Sequence, residues 1–185
     1  VGLALGFKKK NQKKVVICFL GEGATSKGDF HEALNFAGVF RTPNIFICEN
    51  NQYAISVPLK MQTASKTISD KAIAYGIDGM RIDGNNVENV YESVNKAREL
   101  ALKGKPVLIE AVTYRLSDHT TADDASRYRS KEEVENAKKK DWRTTLKNKI
   151  VSEGLWNESK EKQLIKKLES QIEKAVKKFE SIKPA

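Results

Sequence analysis

The chain has 185 residues, enough for one cored domain that buries about 70% of its unfolded surface. Hydrophobic residues make up 39% and charged residues 31%, as in a folded globular protein. No apolar run reaches the ~20 residues that span a bilayer, so no membrane helix is expected. The net charge of +9 is a weak pointer to nucleic acid, because the C-terminal lysines interleave with glutamates (EKQLIKKLESQIEKAVKKFE) as on a solvated helix face, and aromatic residues are not mixed among the basic ones.

The first residue is Val1 rather than methionine, and the chain is expected to be a piece of something longer. VGLALGF is too short for a secretory leader and has no basic segment before it. After the basic run KKKNQKK, residues 15–20 (VVICFL) form a short apolar run ended by glycine. Residues 44–49 (NIFICE) and 107–112 (VLIEAV) repeat that texture, and MRID at 80–83 is a shorter fourth example. Such runs predict strands buried on both faces of a parallel sheet. Cys18 and Cys48 sit inside two of these runs with no zinc-type spacing, which predicts two small buried hydrophobes in a reducing, intracellular setting. Between the strands, Phe30, Ala33, Leu34 and Ala37 fall on one helix face, with Asp29 and Glu32 as an acidic variant of a capping box. Val87, Val90, Tyr91, Val94 and Ala97 mark a second helix over 86–103, stopping at Gly104. Strands alternating with helices predict an α/β domain over 1–130, a mostly parallel sheet flanked by helices. Residues 131–153 and 158–181 then read as two charged helices broken near Gly154, a C-terminal helical extension over 131–185, and SIKPA reads as a frayed end.

In a parallel sheet, ligands bind outside the carboxyl ends of the strands. The residues directly after each run are Gly21, Glu22 and Gly23; Asn50, Asn51, Gln52 and Tyr53; Gly84, Asn85 and Asn86; and the stretch 113–124 with His119. Glycines here permit close approach of the backbone to an anion. A dinucleotide fingerprint needs a further glycine three residues after Gly23, where Ser26 stands, although Glu49 imitates the ribose-binding acid. A P-loop needs glycine-lysine-serine/threonine, and SKG has the wrong order. Glu22 beside a phosphate is repulsive unless a cation lies between them. Mg²⁺ meets that need by joining carboxylates to substrate phosphates, with Asn51 through its side-chain carbonyl and Tyr53 through its main-chain carbonyl as further oxygen donors. ENNQY alone is also an ordinary asparagine turn.

The glycine-acid-glycine and the double asparagine on successive strand ends resemble the thiamine diphosphate signature. Together GEGATSKGDFHEALNFAGVF, CENNQYAISVP, YRLSDHTTADDASRYR and GLW resemble the alpha subunit of the two-chain 2-oxoacid dehydrogenases of the pyruvate, branched-chain and acetoin complexes, from Gly2 into the 170s. The resemblance implies a thiamine diphosphate-binding fold. It implies Mg²⁺ on Glu22, Asn51 and the Tyr53 carbonyl, the diphosphate at the Gly23 and Ala24 backbone, and Ile55 against the cofactor rings. It places His119 in a loop over the active site, where it contacts the diphosphate and assists acyl transfer. Asp118 departs from the histidine or proline usual before that histidine, Thr120 falls where animal relatives carry a regulatory phosphoserine, and His31 reads as packing or subunit contact. The implied partners are a beta subunit in an α2β2 heterotetramer, a lipoyl acyltransferase core and a small 2-oxoacid, with no nucleic acid and no membrane. The setting is cytoplasm, or mitochondrial matrix in a eukaryote. The rival readings are a Rossmann-type NAD oxidoreductase, a basic nucleic-acid scaffold, and an α/β fragment that keeps only the fold. The family's upstream third and the beta-subunit glutamate that activates the aminopyrimidine lie outside this chain, so it is expected to show no turnover alone. The sequence does not decide between branched-chain and pyruvate-type substrates.

Overall fold

A computed structural model describes residues 1–182. The expectation of a frayed SIKPA end falls mostly on the last three residues, outside the described ones. The chain folds as two compact units, Val1–Trp142 and a second from Arg143 onward.

The first unit is built on a four-stranded, wholly parallel sheet. Its strands are β1 (Val16–Gly21), β2 (Asn44–Asn50), β5 (Asp78–Asp83) and β6 (Val107–Val112), in the order β1-β2-β6-β5. Helix α1 (Gly2–Lys9) precedes β1, α2 (Gly28–Phe40) joins β1 to β2, and α3 (Val87–Leu102) joins β5 to β6. A two-residue antiparallel pair, β3 (Tyr53–Ala54) and β4 (Val57–Pro58), follows β2. The pleat sends alternate side chains to opposite faces. Phe46, Cys48 and Leu108 therefore pack with Phe30, Leu34 and Ala37 of α2, while Ile45, Ile47, Val107 and Ile109 pack with Ala97 and Ala101 of α3. A helix on each face of a parallel sheet is the α/β architecture expected from the sequence. Between β4 and β5 the chain makes a seven-residue 3₁₀ segment, Ser69–Tyr75, whose Ala72 joins the α2 face of the core.

Several local expectations change. β2 and β6 are buried, but β1 and β5 are the sheet's two edges and largely exposed, with Ile17 42% and Phe19 63% exposed on β1. Cys18 is exposed rather than buried; only Cys48 is a core thiol, and burial pushes its pKa far up, with the carboxylates of Glu22, Glu110 and Glu49 adding to the effect. An apolar run does not reveal whether its strand has neighbours on both sides. β5 begins at Asp78, earlier than the MRID stretch, because pairing with β6 starts at Asp78 opposite Val107. The acidic capping box does not form: α2 starts at Gly28 with no side-chain cap, and Asp29 sits in the first turn, where it favours the helix dipole. Side-chain caps form instead at Asn86 on α3 and at Ser130, which accepts from Glu133 N–H at 3.1 Å.

The expected single helix over 131–153 is two helices, α4 (Lys131–Lys138) and α5 (Trp142–Ser152). Three consecutive lysines close α4, and Asp141, a residue type favoured at helix N-caps, directly precedes α5. The break near Gly154 is present, and α6 (Glu158–Glu180) follows. Within the second unit, Lys147 pairs with Glu161 at 2.6 Å, and Leu155 and Trp156 both donate N–H to Ile150 O.

Candidate active site

The carboxyl ends of the strands gather most of the sequence candidates. β1 ends at Gly21, opposite Glu49 of β2, and Glu22 opens a tight 3₁₀ turn, Glu22–Ser26, closed by Thr25 Oγ1 donating to Glu22 O at 2.7 Å. The Glu22 side chain is 1% exposed. Its carboxylate accepts the Asn51 N–H at 3.2 Å and meets no cation within ion-pair distance among the described residues. A buried carboxylate without a counter-charge is costly, so this side chain is poised for a cation. Gly23 is required by close approach: a Cβ there would stand 2.8 Å from Ala54 Cβ. Its backbone and that of Ala24 lie in the turn directly after Glu22.

The second strand end is a compact turn. Asn51 Oδ1 accepts the Tyr53 N–H at 3.2 Å, an Asx turn that brings Glu22, Asn51 and Tyr53 together. The Tyr53 carbonyl accepts one hydrogen bond, from Arg115 Nη1 at 3.2 Å, which leaves one lone pair for another partner. Glu22, Asn51 and Tyr53 carry oxygens of the kind hard divalent cations take, although no group of three or more His, Cys, Asp or Glu that could hold a metal exists among the described residues. Ile55 lies in the two-residue connection between β3 and β4 at φ 55°, a left-handed conformation unfavourable for a β-branched residue. Its side chain is 55% exposed and its carbonyl is held by Arg115 Nη2 at 2.6 Å.

His119 lies in the exposed loop after β6. Its imidazole makes no hydrogen bond among the described residues; its main-chain N–H donates to Asp123 Oδ2 at 2.8 Å. The same oxygen accepts Tyr128 OH at 2.5 Å, and Arg115 Nη2 donates to Tyr128 OH at 3.1 Å. A continuous path therefore runs from the Tyr53 and Ile55 carbonyls through Arg115, Tyr128 and Asp123 to the His119 backbone. The Tyr128 hydroxyl and then the His119 N–H hold the Asp123 carboxyl below its usual range. Asp118 does not act on the imidazole through a hydrogen bond; its Oδ1 accepts the Ala125 N–H at 3.0 Å and closes the loop base.

Two supports escaped the sequence. Arg129 is buried, with its guanidinium 5.6–5.8 Å from the ring centroids of Tyr114, Tyr128 and Tyr53. It donates to the carbonyls of Arg115 and Ser117. Glu133 of α4 accepts Tyr53 OH at 2.8 Å and Tyr114 OH at 2.7 Å, and burial, followed by this bond, pushes the Tyr114 hydroxyl up to about 12. The second support is Glu110, 1% exposed in mid-strand, which accepts Asn50 Nδ2 at 2.7 Å and Ser69 N–H at 3.0 Å, with Arg81 Nε at 3.7 Å. An acid inside the apolar run VLIEAV was its signal. The remaining candidates are structural: Asn86 caps α3, Asn85 Oδ1 accepts Thr113 Oγ1 at 2.8 Å, and His31 packs on Phe30 with Nδ1 2.5 Å from Tyr75 OH.

A family model described as "Dehydrogenase E1 component" matches residues 1–185. The chain belongs to the dehydrogenase E1 component family. An E1 relative, the 3-methyl-2-oxobutanoate dehydrogenase subunit alpha of Mycobacterium tuberculosis, is 48% identical over 165 residues, which is 89% of this chain and 45% of the relative. The pyruvate dehydrogenase E1 component subunits alpha of Staphylococcus epidermidis and Staphylococcus aureus are each 42% identical over 178 residues, covering 95% of this chain and 48% of theirs. This E1 chain therefore spans less than half the length of these relatives. No helix among its described residues is long and apolar enough to cross a membrane.

Proposed function

We propose that this chain is part of the alpha subunit of a 2-oxoacid dehydrogenase and holds thiamine diphosphate through Mg²⁺ at the carboxyl edge of β1 and β2. The observation that carries the reading is the buried, cation-free Glu22 carboxylate against the Asn51 backbone. Glu22 and Asn51 Oδ1 would hold the metal with the Tyr53 carbonyl. The main chain at Gly23 and Ala24 would meet the diphosphate, and the exposed side chain of Ile55 would lie against the cofactor rings. When bound, the cofactor supplies the electron sink for decarboxylating a 2-oxoacid. The protein's own part is to fix that group, to keep the Tyr53 and Ile55 carbonyls aimed through Arg115, and to set the His119 loop through Asp123. His119 would contact the diphosphate of the bound group and would assist passage of an acyl unit to a lipoyl group of the acyltransferase core.

A beta subunit, in an α2β2 assembly within a multienzyme complex, completes the site, and the isolated chain is inactive. Branched-chain acids and pyruvate are the substrate candidates, matching the two kinds of relative. The NAD reading is weaker because Gly21, Glu22 and Gly23 run into a 3₁₀ turn rather than straight into a helix N-terminus. The test is calorimetric titration of thiamine diphosphate with Mg²⁺ and then with EDTA, on this chain and on a longer chain mixed with a beta subunit. Metal-dependent binding that Glu22→Ala abolishes is the expected result. No binding in either preparation overturns the reading.

A further inference from the structure

The amino-terminal edge of the sheet, opposite the edge that carries Glu22 and Asn51, holds a cavity of about 720 Å³ lined by Lys8, Lys13, Lys14, Arg41 and Lys103. No Asp or Glu lines it. The cations come from separate parts of the chain: Lys8 from the end of α1, Lys13 and Lys14 from the segment before β1, Arg41 from the turn before β2, and Lys103 from the end of α3. A neighbouring cavity of about 390 Å³ shares Arg41 and Lys103 and adds Lys105, with Asp78 as its acid.

Helix geometry explains part of this cluster. Three helices end here, and basic residues favour helix C-termini. Lys8 Nζ is used that way, donating to Phe40 O at 2.7 Å and Arg41 O at 3.3 Å, and Lys103 is the C-cap of α3. Lys13 and Lys14 belong to no helix, and Lys14 lies over the Phe7 ring at 5.2 Å. Lys13, Lys14, Arg41 and Lys103 form no ion pair among the described residues. Like charges crowded around one concavity repel and focus a positive potential into it, which an anion relieves.

We propose that this cavity binds a polyphosphate-bearing small molecule of nucleoside-diphosphate size. Its volume lies within the roughly 300–1,000 Å³ typical of small-molecule sites. Asn11 and Gln12 add side-chain amides able to recognise a polar ring edge, and Pro43 and Leu102 add apolar wall. The flexible lysines suit phosphate as point charges. The site stands independently of the thiamine reading, since it shares no residue with the Glu22 edge.

The test titrates tripolyphosphate, and separately ADP, into the chain by calorimetry at low and moderate salt without added metal. Binding is expected that weakens with salt, is retained in Glu22→Ala, and falls at least about 50-fold in the triple variant K13A/K14A/K103A, as loss of several charge-assisted contacts implies. The matched K13R/K14R/K103R variant retains binding, and unchanged melting of both variants separates loss of the site from loss of fold. Four results overturn the proposal: no heat with either probe at millimolar concentration, equal affinity in the alanine triple variant, loss of binding in a folded Glu22→Ala variant, or binding of polyglutamate without tripolyphosphate. The last assigns the cluster to an acidic protein surface instead.

Discussion

Replacing Glu110 with alanine tests whether the site is held from below. Glu110 lies on β6 opposite Cys48 of β2 and Arg81 of β5, and its two oxygens take the Asn50 amide and the Ser69 N–H in a fully buried setting. Glu110→Ala strands both donors. Each buried donor left without an acceptor costs about 1–3 kcal/mol, so the two together cost the fold about 2–6 kcal/mol. At about 2–4 °C per kcal/mol for a chain of this size, the melting temperature falls by about 10 °C. Glu110→Gln keeps one acceptor and turns the other end into a donor facing a donor, so it loses about half as much. The effect reaches the site because Asn50 Oδ1 in turn accepts the Gln52 N–H at 3.1 Å, fixing the turn that presents Asn51. Thermal melting followed by circular dichroism, with an N50A/E110A double-mutant cycle, measures it; coupling of at least about 1 kcal/mol is expected. A Glu110→Ala protein melting within about 2 °C of the parent would show that water replaces these bonds and would refute the argument.

Arg115→Met removes the bonds to the Tyr53 and Ile55 carbonyls, about 2 kcal/mol of local stability, so amides of residues 53–58 should exchange about 30-fold faster; unchanged protection counts against the path from Arg115 to His119. Gly23→Ala forces a Cβ to 2.8 Å from Ala54 Cβ and should destabilise by about 1–3 kcal/mol, with G23A/A54G recovering most of it in urea unfolding. Asp123 has a lowered carboxyl pKa, so the order it gives the loop is present above the ordinary carboxylate range and is lost as pH falls through the lowered value; Asp123→Asn should remove that acid dependence in exchange measurements of residues 119–128. Tyr114, raised to about 12, contributes stability that is complete below the ordinary tyrosine pKa of about 10 and lost as pH rises towards 12; Tyr114→Phe should reduce the alkaline loss seen in melting curves.

The sequence by itself determined what depends on near neighbours along the chain. Short continuous apolar runs alternating with helix-period segments were enough to specify parallel strands and flanking helices, because a strand buried on both faces has no need of polar alternation. The same logic placed Glu22, Asn51 and Tyr53 on one edge, since parallel strands put all their carboxyl ends together. Tertiary structure alone decided which run lies at the sheet edge, and so that Cys18 and Phe19 are exposed while Cys48 is not. It alone joined Glu110 to Asn50 and Ser69, and Arg115 to Tyr53, Ile55 and Tyr128, because these bonds close over 13 to 62 positions and leave no periodic trace. It alone gathered the lysines of α1, the segment before β1 and the end of α3 around one cavity. In the sequence they were scattered basic residues; folding brings their charges together because the amino ends of parallel strands and the carboxyl ends of the crossover helices meet at the same edge.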